Sequence, residues 1–149
     1  MPTIEEAIIW ATEVHRGQVD KAGNPYILHP LRVMLRMTSA DARFVAILHD
    51  TIEDSEHTLD DLRALGYSET IIAAVDAITR RDDETYEEFI LRLKPNPLAR
   101  AVKLADLLDN MDLRRANPVV AEKDAERLAR YQRAWIELTR DNPPPLYSY

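Results

Sequence analysis

The chain has 149 residues, 46% of them hydrophobic, no cysteine, and a formal net charge of −7. That length suits one domain burying roughly two-thirds of its unfolded surface, and the missing cysteines exclude disulfides, thiolate metal ligands and cysteine nucleophiles together. The acidic balance excludes a protein that coats a nucleic-acid polymer, which needs a basic face, yet it admits a small phosphorylated ligand held by a few local cations. No run of ~18 apolar residues suggests a membrane span. The opening Pro2-Thr3-Ile4-Glu5-Glu6 lacks a basic-then-apolar leader, so a soluble, cytoplasmic protein is expected.

Only three glycines and repeated capping patterns predict an all-α, single-domain helical bundle over residues 1–149. Thr3 with Glu6 forms a capping box opening a helix to about Arg16. Gly17 to Pro25 is a loop, followed by a short helix from Pro30 to Met37 with proline in its first turn. A strongly apolar third helix is expected from about Asp41 to Ile52, in the middle of the bundle. Thr58 with Asp61 starts a fourth, which Gly66 stops, and Ser68 opens a fifth to about Thr79. Thr85 with Glu88 caps a sixth, ended by Pro95-Asn96-Pro97. A seventh runs from Leu98 to about Arg114, and the last from about Val119 to Arg140, before a stiff Pro143-Pro144-Pro145 tail.

Four segments hold groups suited to chemistry. Val45-Ala46-Ile47-Leu48-His49-Asp50-Thr51-Ile52-Glu53-Asp54 is an apolar run ending in an imidazole and three carboxylates. If the helix continues through it, Glu53 lies one turn beyond His49 and Asp54 one turn beyond Asp50. Carboxylates that crowded repel each other, and a bound cation compensates the repulsion. Lys21 to Pro30 places His29 at a loop-to-helix junction, and in Lys103 to Asn110 the side chains of Asp106 and Asn110 share a face. His29, His49, Asp50 and Asp106 together suit a divalent cation with mixed nitrogen and oxygen ligands, leaving Glu53 or Asp54 to orient or deprotonate an attacking water. Taken singly, each group has a plainer reading. His49-Asp50 is also a helix-end histidine beside a solvated acid, Asp106 an ion-pair partner of Lys103, and His29 a cap. His15 and His57 read as helix-end and loop residues, and Arg80, Arg81, Arg114 and Arg115 as solvated cations, available to phosphate only if they line the pocket.

The ordered set of His15-Arg16-Gly17-Gln18, Lys21 through Pro30, Leu48-His49-Asp50-Thr51-Ile52-Glu53-Asp54 and Val102 through Met111 resembles the HD-domain metal-dependent phosphohydrolases. Within them it is most similar to the hydrolase domain of the RelA/SpoT family and its stand-alone small alarmone hydrolases, over about residues 3 to 115. The resemblance implies a Mn²⁺ site formed by His29, His49, Asp50 and Asp106, with Glu53 and Asp54 serving the catalytic water. It implies a substrate such as guanosine tetra- or pentaphosphate, losing pyrophosphate from the ribose 3′ position to leave GDP or GTP. Lys21 and Lys103 would then face phosphate or nucleotide, and Asn110 the ribose or its phosphate. The chain departs from the family pattern at Asp20, Leu107 and Asp109, where basic residues or histidine are usual. With no synthetase segment after residue 149, hydrolysis alone is the expected activity. Alternatives are a phosphohydrolase acting on another nucleotide or dinucleotide, and a non-catalytic nucleotide-binding or sensor protein.

Overall fold

Short polar side chains write most of the helix starts. In the computed structural model, which describes residues 1–112, 114 and 122–141, the hydroxyls of Thr3, Ser39, Thr58, Ser68 and Thr85 and the amide oxygen of Asn96 each accept from a first-turn N–H. Each such cap satisfies an otherwise orphaned donor and contributes about 1 kcal/mol. The resulting order is α1 (Ile4–Val14), α2 (Leu28–Leu35), α3 (Ala40–Leu48), α4 (Leu59–Ala64), α5 (Glu69–Ile78), α6 (Tyr86–Leu93), α7 (Pro97–Asn110) and α8 (Glu122–Thr139). Among the described residues there is no strand, only an isolated bridge between Val19 and Pro25. None of these helices is long and apolar enough to cross a membrane. The fold is all-α, as the capping pattern predicts.

Apolar patterning decides which helix lies in the middle. Residues Phe44 through Leu48 of α3 are all buried, so this helix has no solvent face over its second half. It packs on α1, α2, α5 and α7, while α8 closes over α6 and α7. Ile47 is fully buried there, and truncating such a side chain to alanine costs about 2–5 kcal/mol.

Three expected boundaries are corrected. The third helix ends at Leu48, not Ile52. The Leu48 carbonyl is claimed twice by Thr51, through its N–H at 3.0 Å and its hydroxyl at 2.7 Å. The His49 ring takes the Ala46 carbonyl at 2.6 Å. Side chains thus compete for the last-turn acceptors and the chain leaves the helix as successive turns. The second helix begins at Leu28, which puts His29 and Pro30 in its first turn, and the seventh stops at Asn110 with Met111 as its cap instead of reaching Arg114. The expected start at Val119 and the Pro143-Pro144-Pro145 tail lie outside the described residues.

Candidate metal and substrate site

Three elements meet at one point. The first turn of α2 presents His29, the end of α3 presents His49 and Asp50, and the middle of α7 presents Asp106. His29 Nε2 lies 2.8 Å from Asp106 Oδ1 and 3.6 Å from Asp50 Oδ2, and His49 Nε2 lies 3.5 Å from Asp106 Oδ1 and 3.1 Å from Asp50 Oδ2. One potential ligand atom from each of His29, His49 and Asp50 lies within 4.8 Å of the other two. The structure therefore brings together the four residues expected to converge.

The far side of each ring is committed. His29 Nδ1 is 2.6 Å from Asp109 Oδ2, and His49 Nδ1 is 2.6 Å from the Ala46 carbonyl. A carbonyl or an ionised carboxylate only accepts, so both Nδ1 atoms carry protons and donate. In the neutral rings both Nε2 lone pairs are then turned toward the carboxylates. The carboxylates are held in turn. The Tyr26 hydroxyl donates to Asp50 at 2.6 Å, and Lys103 Nζ and the Asn110 amide donate to Asp106 at 2.7 and 3.1 Å.

Electrostatics follow this packing. Burial alone would lower the His29 pKa, but hydrogen bonds to Asp106 and Asp109 and the Asp106 and Asp50 charges outweigh it, raising it to about 9. The same contest raises His49, through Asp50 and Asp106. Burial would push Asp50 and Asp106 up, yet His49 holds the first and Lys103 the second below the usual carboxylate range. Glu53 and Asp54, although exposed, go the other way, raised by partial desolvation and by the Asp50 charge.

The donor set fits a divalent cation. Two imidazoles and two anionic oxygens converge, and the buried Nε2 of His49 has no hydrogen-bond partner among the described residues despite its carboxylate neighbours. An unpaired buried nitrogen facing two carboxylates is costly unless a proton or a metal ion joins them. Mixed nitrogen and oxygen donors suit a hard or borderline divalent ion.

Beside this cluster opens a mainly polar pocket whose lining includes Glu53, Arg80, Tyr86, Arg130 and Tyr131. Lys103 and Asn110 also line it, although both already bond Asp106. Asp54 and Lys21 are not among the lining residues. Lys21 is exposed on the 17–25 loop, its pKa lowered by partial burial and by the nearby Arg127. The departures at 107 and 109 do not face this pocket: Leu107 is buried in the core, and Asp109 is buried against His29 and Arg32. Asp20 accepts from the N–H groups of Ala22 and Asn24 within its own turn.

Sequence reasoning grouped Arg80 with the solvated cations and did not single out Tyr86, Arg130 or Tyr131. Arg80 and Arg130 flank the Tyr86 ring at 5.8 and 4.6 Å, and the Tyr86 hydroxyl and Arg130 Nε are buried without hydrogen-bond partners among the described residues. The only hint in the sequence was the run Arg130-Tyr131 on an amphipathic helix. His15 is indeed a helix-end residue, but a buried one, and its ring meets Gln18 at 2.7 Å while Gln18 donates to the Asp54 carbonyl at 3.1 Å. His57 is exposed beside Asp61.

No protein-family model matches the chain. Among curated proteins it is 36% identical over 121 residues to a GTP pyrophosphokinase of Streptomyces coelicolor, covering 72% of this chain and 14% of that protein. It is 32% identical over 120 residues to the guanosine-3′,5′-bis(diphosphate) 3′-pyrophosphohydrolase of Aquifex aeolicus, covering 72% and 17%. Over 123 residues it is 26% identical to the bifunctional (p)ppGpp synthase/hydrolase SpoT of Escherichia coli, again covering 72% and 17%. The chain spans less than a fifth of the length of these relatives. Its homologues are thus RelA/SpoT-type proteins, each matched along one segment of a much longer chain.

Proposed function

We propose that this chain is a metal-dependent phosphohydrolase of the HD type that removes pyrophosphate from the ribose 3′ position of guanosine 3′,5′-bis(diphosphate)-type nucleotides, leaving GDP or GTP. The observation that supports it most is the convergence of His29, His49, Asp50 and Asp106 beside a pocket lined by Glu53. Similarity to segments of proteins named for this hydrolysis adds to it. His29, His49, Asp50 and Asp106 would hold the cation, with Mn²⁺ our choice. When bound, it would supply Lewis-acid polarisation of a phosphoryl oxygen and balance developing charge.

The chain's own groups do the rest. Glu53, its pKa raised by partial desolvation and by Asp50, is a carboxylate tuned to accept a proton from attacking water. Asp54, similarly raised, supports it. Water oxygen bonds to the phosphorus, the bond to the ribose 3′ oxygen breaks, and that oxygen takes up a proton. Arg80 and Arg130 supply the cations facing the nucleotide's phosphates, with Lys103 and Asn110 beside them. Incubating Mn²⁺-loaded protein with guanosine tetraphosphate and identifying products by ³¹P NMR tests the reading. Pyrophosphate with GDP is expected, and its absence beside an active control would refute the alarmone assignment.

A second reading, hydrolysis of another phosphorylated nucleotide or dinucleotide, is favoured by the pocket's cations coming from Arg80 and Arg130 while Asp20 stands where a basic residue is usual. Orthophosphate release, or turnover of a different nucleotide in a substrate panel, would select it.

A further inference from the structure

Asp109 is nearly fully buried at the end of α7, and its carboxylate meets two side chains of α2. One oxygen accepts from His29 Nδ1 at 2.6 Å. Arg32 donates to both oxygens, at 2.8 and 3.1 Å, which neutralises a charge that would be costly if buried alone. Arg32 lies one turn beyond His29 on the same helix, so one carboxylate clamps both. The ring has two tautomers and can turn about its χ2 torsion, and only the arrangement bonded to Asp109 turns a lone pair on Nε2 toward Asp50 and Asp106.

We propose that Asp109, held by Arg32, is a positioning residue that fixes the tautomer and orientation of His29 for cation binding. The inference rests on the metal-dependent reading above. A carboxylate behind a ligating imidazole also makes the ring a stronger donor, and loss of such a partner typically weakens metal binding by about 10–100-fold.

The test is Mn²⁺ titration of the full chain, followed by electron paramagnetic resonance, for wild type, Asp109→Ala, Asp109→Asn and Leu107→Ala. Long-range ¹H–¹⁵N spectra of the metal-free proteins, recorded above the raised His29 pKa of about 9 where the ring is neutral, report the His29 tautomer. Asp109→Ala is expected to weaken Mn²⁺ binding by roughly 10–100-fold and to mix the His29 tautomers. Asp109→Asn, which keeps the shape and an acceptor, is expected to lose affinity less and to retain the tautomer. Leu107→Ala, equally buried on the same helix, is expected to lower thermal stability without moving either readout. Folded Asp109→Ala with wild-type affinity would overturn the proposal, as would an equal affinity loss in Leu107→Ala. Should Asp109→Ala fail to fold, unchanged affinity in Asp109→Asn overturns it instead. Wild type that binds no Mn²⁺ removes the metal reading itself, a distinct result.

Discussion

Glu53 is the residue on which turnover is expected to depend without dependence of metal content. It lines the pocket, is not among the four converging donors, and has its pKa raised by partial desolvation and by Asp50 and Asp54. Glu53→Gln is expected to lower kcat by about 10²–10⁴-fold, the usual range for loss of a general base, while leaving bound Mn²⁺ unchanged by elemental analysis. Arg130→Leu should act on binding instead. Removing a charged donor from a phosphate costs about 1.5–3 kcal/mol, so an increase in KM of roughly tenfold to a hundredfold is expected in steady-state kinetics. The four converging residues were legible because their segments form an ordered set that resembles a known family, whereas each group taken singly has a plainer reading. Asp109 was not legible, since its partners lie 80 and 77 residues away in the chain and only folding reveals that it faces them.

Helix starts were readable from Thr3, Thr58, Ser68 and Thr85 because a cap is a local bond between residues three apart. Helix ends were less so. The apolar pattern runs on past Leu48, and the stop depends on Thr51 turning back to the Leu48 carbonyl, a choice that helix periodicity does not encode. The segment from Thr79 to Thr85, which presents Arg80, is tied down by Arg92. This side chain bonds both oxygens of Glu84 at 2.9 and 2.6 Å and donates to carbonyls near the end of α5, Thr79 among them at 2.8 Å. The Arg92 guanidinium holds the Glu84 pKa down, to about 2 from 4.5. Because the folded-state value is depressed, this contribution to stability is present above about pH 4.5 and is lost as pH falls toward 2. Glu84→Gln should therefore be less stable at neutral pH and show a shallower loss of stability between pH 4.5 and 2, measured by urea unfolding across that range. Ser39→Ala, at the start of the helix that ends in His49, should cost about 1 kcal/mol of stability.

At the scale of the molecule, helices far apart in sequence meet around one pocket. Arg130 and Tyr131 reach it because α8 packs on α6 and α7, and a helical period alone says nothing about which partner a helix chooses. The resemblance carried the expectation as far as the four converging residues, while the pocket's arginines became visible only in the packed chain. The central claim is that α2, α3 and α7 build one cation site from His29, His49, Asp50 and Asp106. Mn²⁺ titration followed by electron paramagnetic resonance, on wild type and His49→Ala, tests it most directly. The account predicts a single tight site per chain in wild type and its loss in the variant. No tight site in wild type, or an undiminished one in His49→Ala, would contradict it.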